Sequence, residues 1–185
     1  TAGKDVQATY LLNCQLKANG KLLVEGRKGV IIGGKTCAKL GVSCNGIGNI
    51  AEIATVVSVG IDKEDMTAYQ ELQKKIEQTQ AELQTCENGL NKLMANPVHD
   101  EKVSMMIQRL TRAVYTLKSS RKELFSERNA QMEQMTKQKE ARIQVSGRAY
   151  PGTLLFLNED PFAIKEIYNN VEFVKHDNRI DTLAH

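Results

Sequence analysis

Histidine is the side chain best suited to acid–base catalysis near neutral pH, and the sequence contains three. His99 falls in a break between two helix-like stretches, whereas His176 and His185 lie near the end of the sequence. His176 and Asp177 are an adjacent acid–base pair, but such a pair on a surface is more often structural than catalytic. Ser58 has no evident base partner in the sequence. We therefore predict that the chain has no catalytic site and is not an enzyme.

The four cysteines show no C-x-x-C spacing of the kind that zinc sites and redox motifs use. Cys14, Cys37 and Cys44 lie in apolar, strand-like segments, and Cys86 lies on a helical seam. Zinc ligation or a disulfide framework is the alternative. We favour reduced thiols that pack as small apolar residues, which indicates the cytoplasm, and we expect no metal.

Several glycines stand where a phosphate-cradling loop could be considered. Such a loop needs its glycines between a strand and the start of a helix, but strand-like residues follow Gly33-Gly34 and Gly46-Ile47-Gly48. Glycines that supply positive φ or allow close approach of neighbouring coils are the better interpretation, and no cofactor is expected. The predicted turn glycines are Gly29, Gly33, Gly34, Gly48, Gly60 and Gly152.

A basic strip lies in the second helix-like stretch, with no acidic residue between Glu101 and Glu123. The strip could bind nucleic acid or anionic lipid. The favoured interpretation is pairing with the glutamates of the first stretch, together with a solvated face. The strip consists of Arg109, Arg112, Lys118, Arg121 and Lys122, and the facing glutamates are Glu71, Glu77, Glu82 and Glu87.

Short apolar segments separated by glycine-rich turns make up residues 1–61. The segments are about three to four residues long, too short for ordinary hairpin strands, with turn signals such as Asn19-Gly20, Gly33-Gly34 and Asn45-Gly46 between them. This pattern is typical of a β-solenoid, whose stacked coils each bury a few aliphatic side chains. A small β-sandwich is the alternative.

Residues 62–142 change to a helical period, with apolar residues at alternating spacings of three and four, the heptad pattern of a coiled coil. The break at Asn96-Pro97-Val98-His99 is short, and proline disfavours helix at the residue before it, so the first helix should end near Ala95. We predict an antiparallel coiled-coil hairpin that projects from a small domain. Its seam consists of Tyr69, Leu72, Ile76, Thr79, Leu83, Cys86, Leu90 and Leu93, followed by Val103, Ile107, Leu110, Val114, Leu117, Arg121, Leu124, Arg128, Gln131 and Met135.

The tip of this hairpin, formed by Asn96, Pro97, Val98 and His99, is the candidate surface for a protein partner, because a partner could reach both helices there. Strand-like segments return in residues 143–185, where Val171-Glu172-Phe173-Val174 and Ile180 indicate one or two closing strands. The predicted domains are a first solenoid part at 1–61, the hairpin insertion at 62–142 and a closing solenoid part at 143–185. No apolar run long enough to span a membrane occurs, and residues 1–5 do not begin a signal peptide.

Three segments occur in a distinctive order: Lys28-Gly29-Val30-Ile31-Ile32-Gly33-Gly34, Gly46-Ile47-Gly48-Asn49 and Ala54-Thr55-Val56-Val57-Ser58-Val59-Gly60. A predicted coiled coil follows directly, and the chain returns through Gly147-Arg148-Ala149-Tyr150-Pro151-Gly152. This layout resembles the flagellar assembly protein A (FapA) family over nearly the whole chain.

The resemblance implies a right-handed, single-stranded β-helix, related in architecture to the C-terminal domain of the division inhibitor MinC. It also implies a cytoplasmic, non-enzymatic role in flagellar assembly or in organising the cell pole. We accordingly expect a scaffold or adaptor that binds other proteins, with a homo-oligomer as one arrangement. The alternative is binding of nucleic acid or of an anionic membrane surface through the basic strip, which we do not favour.

Overall fold

The computed structural model describes residues 2–95, 100–177 and 179–184. They fall into two compact units, one made of Thr1–Asp65 with Gln134–His185 and the other of Met66–Glu133. The described strands all belong to the first unit. They are β1 (Val6–Ala8), β2 (Tyr10–Ala18), β3 (Leu22–Val24), β4 (Val30–Ala38), β5 (Val42–Ile47), β6 (Thr55–Val59), β7 (Ile143–Ala149), β8 (Thr153–Leu157), β9 (Asp160–Ala163), β10 (Tyr168–His176) and β11 (Arg179–Ala184).

Parallel pairs stack successive stretches of the first unit into three ladders. The first ladder runs through β1, β3, β5 and β7, in that order. The second joins the beginnings of β2 and β4 to the ends of β5 and β7. The third joins the remainder of β2 and β4 to β6 and β8. Because β7 and β8 come after the helices in the chain but continue the same ladders, the stack resumes where the insertion interrupts it.

Several strands are longer than the sequence pattern predicted, because they bend from one ladder to the next. Gly33-Gly34 and Asn45-Gly46 were expected to be turns between strands, but they lie inside β4 and β5. In β4, Gly33 and Gly34 have φ values of 71° and 76°, a conformation that glycine adopts without steric cost. The strand therefore turns a corner while pairing with β2 continues on both sides.

Antiparallel strands close the stack after β7 and β8. β9 pairs antiparallel with β8, and β10 pairs antiparallel with both β7 and β11. The closing strands expected from Val171-Glu172-Phe173-Val174 and Ile180 correspond to β10 and β11. Phe162, Tyr168 and Phe173 cluster here, with ring centroids 5.5 to 6.4 Å apart. These aromatic rings fill the end of the core.

The core of the first unit consists of aliphatic side chains in layers, one layer for each set of paired positions. Thr36, Val57 and Leu155 are paired in register on the third ladder, and all three are almost completely buried. Burying one Val or Leu side chain contributes about 1.5–3 kcal/mol, so the stacked layers supply most of the driving force for folding. Few aromatic residues are needed for such a core, in agreement with their 5% share of the sequence.

Two long helices lie between β6 and β7 in the described part of the chain: α1 (Lys63–Met94) and α2 (Glu101–Lys139). The first helix ends one residue before the position expected from Pro97. All the predicted seam positions are buried or half-buried, with Leu72, Ile76, Leu83 and Val114 the most buried. Glu87 pairs with Lys118 and Gln80 with Arg121, so the helices run antiparallel. Neither helix is long and apolar enough to cross a membrane.

Candidate functional site

The beginning of α1 is fixed by a reciprocal pair of aspartate caps. The backbone N–H of Asp65 donates to Oδ1 of Asp62 at 2.9 Å, and Asp65 Oδ2 accepts from the backbone N–H of Asp62 at 3.4 Å. Helix N-termini leave N–H groups without partners, and carboxylates are favoured there by the helix dipole. This spacing, an acidic residue followed three positions later by another, is the signal by which the start of α1 could have been found in the sequence.

Two lysines from the solenoid pair with these two aspartates and with Glu64, which lies between them. Lys17 Nζ lies 3.1 Å from Asp62 and 2.5 Å from Glu64, and Lys39 Nζ lies 2.5 Å from Asp65. We call these five residues the base cluster. The hydrogen bond to Glu64, with the pairing to Asp62, raises the pKa of Lys17, although burial acts in the opposite sense. Burial alone would raise the pKa of Asp62, but its hydrogen bonds from Asp65 and Lys17 lower it.

Asn158, in the turn between β8 and β9, binds both ends of the helical insertion. Its Oδ1 accepts from the backbone N–H of Ile61 at 2.9 Å, and its Nδ2 donates to the carbonyl of Lys139 at 3.1 Å. Gly60 lies directly beside it, where a Cβ would come within 2.0 Å of Asn158 Oδ1. The contacts require glycine at position 60, which the sequence predicted as a turn glycine. They also depend on Asn158, which the sequence analysis missed.

A groove of about 450 Å³ opens beside the base cluster on the third ladder. The strand register places Cys37, Ser58 and Phe156 side by side on its floor, with Lys35 and Glu159 also lining it. Burial, with a smaller effect of Asp62, raises the pKa of Cys37, so its thiol is protonated at neutral pH and is a poor nucleophile. The groove can bind a small polar molecule or side chain, but it shows no activated nucleophile.

His176, which adjoins Asp177 in the sequence, pairs with a different aspartate. His176 Nδ1 lies 3.1 Å from Oδ2 of Asp181, whereas Asp177 occupies the turn between β10 and β11 with a φ of 51°. Both members of the observed pair are at least half exposed. The strand pairing explains this partner, because β11 runs antiparallel to β10 and places Asp181 opposite Val174, two residues before His176. His99 and His185 lie outside the described residues.

The cysteines and the acidic residues offer no metal centre in the part of the chain that the structure describes. All four thiols are free; Cys44 is buried, and Cys14, Cys37 and Cys86 are half-buried. Burial raises the pKa of Cys44 to about 12, which keeps this thiol protonated.

The predicted turn glycines share one backbone feature. Gly29, Gly33, Gly34, Gly48, Gly60 and Gly152 all have φ values between 54° and 88°. Residues of β4 follow Gly33 and Gly34, and no helix begins at Gly48, so these glycines do not form a phosphate-binding loop at the start of a helix.

The structure divides the basic strip of α2 into paired and unpaired residues. Lys118 pairs with Glu87 at 2.8 Å, and Arg121 donates to Gln80. Arg109, Arg112 and Lys122 form no side-chain hydrogen bond or ion pair with any of the residues described. The expected pairing with a facing glutamate is therefore seen at Lys118, and Arg109, Arg112 and Lys122 lie on the exposed face that was expected beside it. Of the four facing glutamates, Glu87 pairs with a lysine of the strip in the part of the helices that the structure describes. The candidate tip surface, Asn96 to His99, lies outside the described residues.

The model of the flagellar assembly protein A (FapA) β-solenoid domain matches residues 1–180. The match covers both parts of the ladder stack and the two helices between them. No curated protein and no solved structure matches the chain significantly.

Proposed function

The chain belongs to the flagellar assembly protein A (FapA) family, and from this membership we propose that it is a non-enzymatic scaffold or adaptor for flagellar assembly. The observation that carries the proposal is the family match over residues 1–180. The scaffold acts by binding other proteins in the cytoplasm, at the cell pole. Its β-solenoid is a right-handed, single-stranded β-helix, and α1 and α2 form a coiled-coil hairpin. Its domains are residues 1–61, 62–142 and 143–185.

Protein binding is supported by the surface of the helices. Large apolar side chains are exposed on otherwise charged helices, with Tyr115 78% exposed and Met94, Met105 and Met106 each more than half exposed. Exposed aromatic and methionine side chains are enriched at protein–protein interfaces. The candidate tip surface at Asn96 to His99 remains part of the proposal.

The proposal is tested by affinity purification from the native cell with two forms of the chain. The first is the intact chain, and the second lacks two heptads from each helix, residues 80–93 and 107–120. Removal of whole heptads keeps the seam in register, so the shortened helices should still fold, which circular dichroism checks. We expect the intact chain to retain flagellar assembly proteins and the shortened chain to lose them. Retention of no protein by the intact chain would contradict the scaffold function.

Binding of nucleic acid or of an anionic membrane surface is the second candidate, because Arg109, Arg112 and Lys122 have no partner among the described residues. Such binding is electrostatic and weakens steeply as salt is raised. Retention of duplex DNA or of phosphatidylglycerol vesicles at 50 mM salt and release at 200 mM salt, about the range over which such complexes dissociate, would favour this candidate. The scaffold proposal expects neither to be retained.

A further inference from the structure

The first third of α2 carries a shallow, mostly apolar groove of about 430 Å³. Met105 and Met106 are 51% and 55% exposed, although each is a large apolar side chain. Methionine is flexible and polarizable, so a surface built from it adapts to the side chains of a partner. The groove is lined by Lys102, Met105, Met106, Arg109, Leu110 and Ala113.

Two cations, Lys102 and Arg109, line this groove, and Arg112 follows Arg109 by about one helical turn. Lys102, Arg109 and Arg112 make no ion pair or side-chain hydrogen bond with the residues that the structure describes. Further along the same helix, Lys118 is paired with Glu87 and Arg121 is bonded to Gln80. Uncompensated positive charge is thus concentrated beside exposed methionines, a surface complementary to acidic groups next to apolar ones.

Within the described residues of α2, the apolar stripe is short. Positions that continue the face of Met105 and Arg109 along the helix are Thr116, Ser119 and Ser120, all polar. The stripe therefore ends after about two turns. A membrane-surface helix presents a long apolar face with aromatic residues at the interface, which this face lacks. A face of this length fits one short segment of a protein.

We infer that this groove binds an acidic amphipathic segment of a partner protein. The apolar side chains of the segment cover Met105 and Met106, and its carboxylates pair with Lys102, Arg109 and Arg112. Helix-in-groove recognition of this kind uses apolar anchors at helical spacing. The inference rests on the proposed function, since it names the kind of protein that the scaffold binds.

The test uses the full chain and a fluorescent, end-blocked helical peptide of about 18 residues, with leucines on one face and glutamates on the other. Wild-type chain should bind this peptide, and a scrambled peptide of the same composition should bind at least about tenfold more weakly. Arg109→Glu with Arg112→Glu should weaken binding at least about tenfold, as should Met105→Ser with Met106→Ser. Lys122→Glu is the matched control, because its charge is unpaired but lies on another face of α2; binding should be unchanged.

All substituted side chains are exposed, and unchanged helicity and melting temperature confirm that the variants fold. Equal binding of the designed and scrambled peptides, or equal binding by wild type and the arginine variant, overturns the inference. So does competition by phosphatidylglycerol vesicles or duplex DNA, which assigns the face to an anionic surface. If the chain self-associates and the methionine variant does not, the face binds a second copy of this chain and the inference is likewise overturned. If the chain binds the peptide but retains no cellular protein, the scaffold function is refuted and the groove inference stands. If the chain retains cellular proteins but does not bind the peptide, the groove inference alone is refuted.

Discussion

Asn158 is the residue that fixes both ends of the helical insertion to the solenoid. Its partners, Ile61 and Lys139, are 97 and 19 positions away in the sequence. It also has a φ of 50°, in the left-handed region that asparagine tolerates better than most residues. One short side chain therefore supplies a backbone turn and two long-range hydrogen bonds.

Asn158→Ala should destabilise the first unit by about 1–3 kcal/mol, because it leaves the Ile61 N–H and the Lys139 carbonyl without this partner. Asn158→Gly is the matched control, since glycine accepts the positive φ but also lacks the hydrogen bonds. Urea unfolding followed by circular dichroism measures both. The glycine variant should recover only the part of the loss that arises from backbone strain. Full recovery by glycine would show that the two hydrogen bonds contribute nothing.

A substitution at Gly34 tests whether the bend in β4 requires glycine. A Cβ there would lie 2.2 Å from the carbonyl oxygen of Cys14, and the φ of 76° is unfavourable for alanine. Gly34→Ala should cost about 2–5 kcal/mol, from overpacking and left-handed strain together. The control is Gly89→Ala in α1, where the new Cβ meets only Leu110 Cδ1, at 3.7 Å. That change should stabilise the helix by about 0.5–1 kcal/mol. Thermal melting of both variants measures the difference. Equal changes in melting temperature would contradict a bend that requires glycine.

For single residues, roles that depend on local conformation could be predicted from the sequence, and roles that depend on long-range contacts could not. The positions of the turn glycines could be found because turn residues cluster between short apolar segments. The role of Asn158 could not, because nothing near it in the sequence identifies Ile61 or Lys139 as partners. The same limit applies to His176, whose partner Asp181 is set by strand pairing and not by adjacency.

Among the elements, α1 has first-turn acidic residues that pair with lysines of the solenoid. Asp62 has a lowered pKa in the folded state. Its contribution to folding stability is therefore complete above its unfolded pKa of about 3.9 and is lost as the pH falls through the lower folded value. Stability should therefore decline below about pH 4. Asp62→Asn should flatten part of this decline, because asparagine still caps the helix but cannot titrate.

Urea midpoints of the wild type and of Asp62→Asn, measured between about pH 2 and 6, provide the comparison. Lys17→Met is the second arm. It removes the cation that helps to lower the pKa of Asp62, so it too should reduce the loss of stability on acidification. Parallel pH profiles for all three proteins would show that the base cluster contributes no pH-dependent stability.

Leu83 is the most buried residue of α1, with 1% of its surface exposed. Leu83→Asp should cost about 2–5 kcal/mol, because it deletes seam packing and buries a charge. Gln84→Asp is the matched control at an exposed neighbour with a similar loss of helix propensity, and it should cost less than about 1 kcal/mol. Helicity at 222 nm during thermal melting measures the difference. Equal melting of the two variants would contradict a packed seam.

The period of the helices could be predicted because seam positions recur every three or four residues within one segment. The ladders of the solenoid were predicted only in outline. The apolar pieces and glycine turns indicated stacked coils, but a strand that bends through a corner has the same turn residues as a strand that ends there. Nor does any local pattern show that β9 and β10 reverse direction and pair antiparallel.

The whole molecule consists of two units, the first with a layered aliphatic core and the second with most of the helical seam. The core cluster draws its members from strands on both sides of the insertion, and it also includes Ala141, just after α2. All members of this core cluster belong to the first unit. We therefore expect the first unit to fold without most of the helical chain.

Replacing residues 66–133 with a short Gly-Ser linker should leave a β-rich protein that melts cooperatively, because the linker removes none of the solenoid's core residues. The matched variant replaces residues 63–141, which also removes Ala141 and the partners that Glu64, Asp65 and Lys139 provide to the solenoid. Surface ion pairs contribute under about 1 kcal/mol each and a hydrogen bond about 1 kcal/mol, so the longer replacement should be less stable by about 1–3 kcal/mol. Circular dichroism and differential scanning calorimetry measure both. Equal stability would mean that the ion pairs of Glu64 and Asp65 and the hydrogen bond to Lys139 add nothing once the helices are absent. Loss of cooperative melting in the shorter replacement would mean that the solenoid needs the helices to fold.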